Sequence, residues 1–273
     1  MTLSQVIQRI GQISPPIQPK IRANVKHYTE ATLKWNPDSV KGYALFYQFL
    51  TDSNPSSISL IPDGCVNILF RCDERAPAIS LAGIMLKEQP LQLLPNTTYF
   101  GFKPYSPAAI EKKYLKTAAL LDDKVDFKHY FPAAEQLLEQ VLQAPGFQER
   151  LRLLLKYAQK HFIDHNYVYA LQEYLALSMC VAKGQKSIGE LVKTIGYSGR
   201  HCRKRFKNLF GITLAHYNRI MRFQNAVKTF YHNDHISMTT IAHESGYFDQ
   251  AHFIRDFKRF VDDPPQKFKQ NLA

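Results

Sequence analysis

Residues 246–260 read GYFDQAHFIRDFKRF, and fifty positions earlier residues 196–210 read GYSGRHCRKRFKNLF. Each copy begins with a glycine and an aromatic residue and continues into a cation-rich amphipathic stretch. Before each glycine stands an apolar stripe at helical spacing: Ile188, Leu191, Val192 and Ile195 in the first copy, Met238, Ile241, Ala242 and Ser245 in the second. Each stripe opens after a serine, Ser187 or Ser237, a favoured N-cap type, and Ser187 with Glu190 spells a capping box. After each glycine a second helix is predicted. Its inward positions are Cys202, Phe206, Leu209 and Phe210 in one copy and Phe253, Phe257, Phe260 and Val261 in the other. Gly196 and Gly246 supply the left-handed residue that a tight turn between helices needs. The pattern is a helix-turn-helix, present twice.

The outward face of the second helix in each copy carries the chemistry. In the first copy Arg200, Arg203, Lys204 and Lys207 share one side at i, i+3, i+4, i+7, with no acidic residue between them. A run of charge on a helix is usually a solvated face. Here it lies on the helix that would enter a groove, and Arg and Lys suit both guanine edges and phosphates. The corresponding positions in the second copy are Ala251, Ile254, Arg255 and Lys258, with Gln250 near the helix start. An exposed Ile254 would suit a thymine methyl group, and Arg255 a base or phosphate; random surface apolarity is the plain alternative for Ile254. Residues 213–231, TLAHYNRIMRFQNAVKTFY, form a predicted helix with Ile220, Phe223, Val227 and Phe230 on one side. A rigid helix here would fix the separation of the two reading helices, so that they meet successive major-groove turns about 34 Å apart.

Charge distribution agrees. The chain has 273 residues and a formal net charge of +12. Residues 187–273 hold 14 Lys and Arg against 7 Asp and Glu, so the last third is the place for an anionic partner. No stretch approaches the roughly 18 consecutive apolar residues of a membrane span. The opening MTLSQVIQRIGQISPP lacks the apolar run of a secretory signal, and the four cysteines form no C-x-x-C pair. A reducing cytoplasmic setting is expected, with no membrane contact, metal or cofactor.

From about residue 25 to 105 the pattern is β-like. YALFYQFL (43–50), VNILF (66–70) and TTYFGF (97–102) are aromatic and branched runs, with IPDGC (61–65) as a turn between strands. Alternating helices are missing, so an antiparallel barrel or sandwich is predicted. From about residue 107 the period becomes helical. AAEQLLEQVLQ (133–143) and FQERLRLLLKYAQKHF (147–162) are separated by APG (144–146). The stripe Leu151, Leu154, Leu155 and Ala158 suits either a partner helix or intrachain packing on the β domain. FIDHNYVYA (162–170) reads as a short connection into LQEYLALSMCVAKG (171–184), and the domain boundary is placed there.

SIGELVKTIGYSGRHCRKRFKNLFGIT, RIMRFQNAVK and TTIAHESGYFDQAHFIRDFKRFVDDPPQKFK, with Arg222-Phe223-x-x-Ala226 between the two copies, resemble the tandem helix-turn-helix domain of AraC/XylS-type bacterial transcription regulators. The resemblance covers about the last 105 residues. Leu214 stands where that family usually has proline, Cys202 where it has leucine, Lys204 where it has arginine and Asp262 where glycine is common. The resemblance implies that Arg222 is structural, holding the linking helix to its neighbours. A looser resemblance, through LIPDGCVNILF and LAGIMLKEQPLQLL (81–94), joins the first 110 residues to the cupin-like β domains often attached to such readers.

The expected architecture is therefore α+β and multidomain. It comprises a β-rich cupin-like sensor or dimerisation domain (1–110), a helical connector (111–164) and an all-α tandem helix-turn-helix domain (165–273). The resemblance implies a sequence-specific, DNA-binding, effector-responsive transcriptional regulator. Its partners would be double-stranded promoter DNA, with a small-molecule effector, RNA polymerase and a second copy of the chain as further candidates. A nonspecific architectural nucleic-acid binder is the alternative. A DNA-repair enzyme fused to such a domain would need a zinc cysteine cluster and a reactive Pro-Cys-His segment, and neither occurs, so no catalytic residue is assigned. His161 with His165 lacks the glutamate of a zinc helix, and His232 with His235 reads as a polar loop. Cys65 beside Asp63 reads as a packed strand-start cysteine, since no base stands at motif spacing.

Overall fold

The computed structural model describes residues 15–36, 42–54, 57–106, 110, 116–162, 170–193, 195–233 and 235–271. Among the described residues the first helix is α1 (Pro19–Ala23). Eight strands follow among the described residues: β1 (Lys26–Asn36), β2 (Gly42–Leu50), β3 (Ile58–Leu60), β4 (Asn67–Cys72), β5 (Ala78–Ala82), β6 (Gln89–Leu91), β7 (Thr98–Pro104) and β8 (Lys124–Asp126). All pairings are antiparallel. Six strands form one sheet in the order β1-β2-β7-β4-β5-β8, and β3 pairs with β6 apart from it.

The central strands have no polar face because the sheet is covered on both sides. Along β2, Ala44 and Phe46 point into one core, and Leu45, Tyr47 and Phe49 into another. The same division separates Ile68 and Phe70 from Leu69 on β4, and Phe100 and Phe102 from Tyr99 on β7. A period of two with both faces buried gives a continuous apolar run instead of an alternating one. Register then stacks aromatic rings across strands: Phe46 faces Phe102 and Phe70 faces Phe100, with centroids 5.1 and 5.7 Å apart.

Helices α2 (Ala134–Gln143) and α3 (Phe147–His161) cover the first of these faces. Leu151, Leu154 and Ala158 are buried in the sheet's core and Leu155 packs at its edge, so the stripe on α3 is used within the chain. Arg150 is buried beside them. Its guanidinium donates to the carbonyls of Val141 and Ala144 and, across to the sheet, to Gln48. The stretch expected as a helical connector is not helical throughout. Its residues 124–126 form β8 and extend the sheet beside β5, a three-residue strand too short to carry a periodic signal.

The described residues of the C-terminal region form helices: α4 (Ala170–Val181), α5 (Ile188–Lys193), α6 (Gly199–Phe210), α7 (Leu214–Tyr231), α8 (Met238–Glu244), α9 (Gln250–Phe257) and α10 (Pro265–Gln270). The sheet-rich and helical regions expected from the sequence are thus both present. Helix α4 is apolar nearly all round because it is wedged between them. Leu175, Ala176 and Met179 face the helical core, and Tyr174 and Leu177 lie beside Tyr43 of β2. The helical core also takes in Ile17, Ile61 and Ile84 from the N-terminal region. Among the described residues, no helix is long and apolar enough to cross a membrane.

Candidate nucleic-acid interface

Helices α5 and α6 form the first helix-turn-helix, α8 and α9 the second, and α7 runs between them. The start signals read from the sequence are all made. Ser187 and Glu190 close the capping box, with the Ser187 amide donating to Glu190 Oε2 at 2.9 Å and the Glu190 amide to Ser187 Oγ at 3.2 Å. Ser237, Ser198 and Asp249 cap α8, α6 and α9 through the amides of Thr240, His201 and His252. Gly196 and Gly246 hold φ of +71° and +76° at the two turns, where only glycine sits without strain.

Burial follows the predicted periodicity. Cys202, Phe206, Leu209 and Phe210 are inward on α6; Phe253 and Phe257 on α9, with Phe260 and Val261 just beyond it, are inward in the second copy. Ile220, Phe223, Val227 and Phe230 of α7 fill the space between. The opposite face of α6 exposes Arg200, Arg203, Lys204 and Lys207, and also Arg205 and His201, which sequence spacing did not single out. Among the described residues none of these cations has an ion-pair partner. On the second copy Gln250, Ala251, Arg255 and Lys258 are exposed, Lys258 being the C-cap of α9. The Gln250 side-chain oxygen accepts from Thr239 Oγ1 at 2.8 Å, which ties the start of α9 to α8.

One expectation needs correction. Ile254 is half-buried and packs against the helical core, so it is not the exposed apolar residue the sequence spacing suggested. It stands one residue after Phe253 and three before Phe257, so it flanks the inward direction that these two buried rings set. Among the described residues, the exposed large apolar side chains are instead Phe248, at 86%, and Tyr197, at 56%, both in the turns.

Arg222 is structural here in a specific way. Its Nε and Nη2 donate to the Gly184 carbonyl at 3.1 and 2.9 Å, and its guanidinium lies over the Tyr247 ring at 5.3 Å. Asn218 Nδ2 donates to the same carbonyl at 3.1 Å. One side chain of α7 thereby holds the entry to the first unit and the turn of the second. We expect Arg222→Ala to lower the unfolding free energy by about 1–3 kcal/mol. Urea denaturation measures this, and a change within a few tenths of a kcal/mol would remove Arg222 from that role.

The N-terminal region touches both units. Thr117 Oγ1 donates to the Leu209 carbonyl at 2.8 Å near the end of α6, and the Glu88 amide donates to the Phe260 carbonyl at 2.8 Å beyond α9. Between them, Gln224 of α7 receives the Ile17 amide at 3.0 Å and donates to the Pro62 carbonyl at 2.8 Å. Gly64, at φ +72° in the predicted IPDGC turn, lets the chain lie against α7; a Cβ there would stand 2.6 Å from Met221 Cε.

Beside this seam lies a cavity of about 460 Å³, lined from the N-terminal side by Asp63, Cys65 and Tyr105 and from the helical side by Lys183, Gln224, Asn225, Lys228 and His232, among others. Asp63 is committed to a buried ion pair with Lys103. Burial pulls the Lys228 ammonium down to about 8, partly offset by Cys180 and Cys65 and reinforced by Lys183. Burial likewise pushes the Cys65 thiol well up, in keeping with a packed cysteine. Among the described residues, no three His, Cys, Asp or Glu side chains gather as metal ligands. His165, paired with His161 in the sequence, lies outside the described residues.

The family model for a helix-turn-helix domain matches residues 191–271. "Probable transcription factor PqrA" of Proteus vulgaris is 36% identical over 91 residues, which are 32% of this chain and 74% of that protein. An uncharacterized HTH-type transcriptional regulator of Staphylococcus aureus is 29% identical over 83 residues, 30% of this chain but only 11% of that longer protein. Among solved structures, ToxT from Vibrio cholerae O395 aligns with 84% of this chain and 98% of its own, at 11% identity and a TM-score of 0.44.

Proposed function

Because the chain belongs to the AraC-type family of helix-turn-helix transcription regulators, we propose that α6 and α9 are its two reading helices on double-stranded promoter DNA. The observation that carries this is the face of α6. There Arg200, Arg203, Lys204 and Lys207 stand exposed, without ion-pair partners among the described residues, on a helix held rigid by a glycine turn and a buried aromatic core. Gln250, Ala251, Arg255 and Lys258 serve the second helix. Phosphate contacts position such a protein, and contacts to base edges choose the sequence. The mechanism is binding and needs no catalytic group. RNA polymerase and a second copy of the chain are the partners that a promoter-bound regulator implies.

Selection of bound sequences from random duplex DNA by the full chain tests this reading. An enriched motif, with affinity falling steeply as salt rises, supports it. Salt-sensitive binding with no enriched motif would favour the nonspecific architectural binder. The full chain is needed because Ile17, Ile61 and Ile84 belong to the helical core.

The seam cavity supports the effector-responsive part of the reading. Beside the Asp63–Lys103 pair the wall carries Lys183 and Lys228, which suits a small anionic effector. An anion there would favour the charged form of Lys228 and hold its proton on. Binding of such an anion is expected to be constant below pH 8 and to weaken up to tenfold per pH unit above it. Calorimetric titration at pH 6.5 to 9.5 measures this. Lys228→Met should flatten the profile, and an unchanged profile in that variant would remove Lys228 from the site.

A further inference from the structure

We propose that Phe248 reads a thymine methyl group in the operator, making it a specificity-determining residue of the second helix-turn-helix. This rests on the DNA-binding reading above.

Phe248 exposes 86% of its surface. It is the residue before Asp249, the N-cap of α9, so it stands at the mouth of the second reading helix. The N-terminal residues of a reading helix are the ones that meet base edges. Its position is held: the Asp249 carboxylate caps the His252 amide at 2.6 Å, and the Phe248 amide approaches His252 Nδ1 at 3.4 Å. The first unit offers an instructive contrast. Tyr197 occupies its turn, but that ring stacks on His201, 5.2 Å away and tilted by only 17°. Among the described residues no such ring covers Phe248, which is left facing solvent.

A phenyl ring cannot pair with a phosphate. On the major-groove edges of the bases, the apolar feature it can cover is the C5 methyl of thymine, and phenylalanine is among the side chains suited to that contact. Exposed cations of the same unit, Arg255 and Lys258, make DNA the occupant this surface favours over an apolar protein groove. The half-buried Ile254 is the weaker candidate for the same methyl, because much of its side chain is already spent on the core.

The full chain and its selected operator provide the test, with each thymine replaced in turn by deoxyuridine, which lacks only the methyl. Wild type is expected to lose about fivefold to tenfold in affinity at one position. Phe248→Ala should bind the thymine and uracil operators equally, with unchanged thermal stability, since the ring faces solvent. Ile254→Ala should retain the uracil penalty. A Phe248→Ala protein that keeps both its affinity and the penalty overturns the proposal. So does one that reads the operator normally yet fails to activate or repress with RNA polymerase, which would make the ring a protein contact. If wild type selects no sequence at all, the regulator reading itself falls, and Phe248 with it. A clear motif insensitive to uracil rejects the Phe248 assignment alone.

Discussion

Replacing Asp63 by alanine is expected to lower the unfolding free energy by about 3–5 kcal/mol, the range for removing one partner of a buried ion pair. Asp63 and Lys103 are both almost completely buried and bonded to each other. Burial works against the Lys103 charge, but Asp63, together with Tyr47 and Cys65, more than compensates and raises its pKa above the ordinary lysine value. The sign follows. A raised lysine pKa contributes stability that is fully present below the unfolded-state value and is lost only as pH climbs through the folded one. The contribution of the intact pair should therefore be constant from pH 6 to pH 9, whereas in Asp63→Ala burial without the carboxylate lowers the Lys103 pKa, so the destabilisation should shrink as pH rises. Asp63 does more than pair with Lys103: it accepts from Gln18 Nε2 and from the Cys65 amide, each at 3.0 Å. Thermal melts should fall by roughly 10 °C. An apolar double replacement, Asp63→Leu with Lys103→Met, should recover much of the stability, because no bare charge is left inside. A single mutant within 1 kcal/mol of wild type would mean that water reaches the pair.

The second large effect is on affinity. Arg200→Ala together with Arg203→Ala should weaken binding to the selected operator by about 2–6 kcal/mol, counting roughly 1–3 kcal/mol for each base or phosphate contact. Both side chains are exposed and outside the aromatic core of α6, so folding should be untouched. The salt slope should separate their roles. Truncating an arginine that binds a phosphate lowers the slope by about one, whereas truncating one that reads a base relaxes selection at one position. Fluorescence anisotropy at several salt concentrations reads both quantities. A weakening of less than threefold in the double variant would reject α6 as a reading helix.

Much of the helical region was legible because its signals are local. Serine caps, two glycines at positive φ and apolar stripes at helical spacing lie within a few residues of what they determine, and each is realised between Ser187 and Val261. The sheet was legible through its long central strands, whereas β3, β6 and β8, three residues each, are too short to show a period. Ile254 misled because spacing gives the angular position of a residue on an isolated helix, but not how closely the neighbouring helix approaches. Phe248 lay outside every periodic pattern, and only its exposure in the folded turn singles it out. The Ile17–Gln224 hydrogen bond spans 207 positions and has no local signature at all.

That long-range seam bears on how such chains can be recombined. Three hydrogen bonds, from Ile17, Thr117 and Glu88, fasten the amino-terminal half to three different places on the carboxy-terminal half. A hybrid gene that grafts a foreign sensor onto residues 187–273 would bring partners matched to none of them. Working chimeras of this protein would have to exchange the matching surfaces of both halves together.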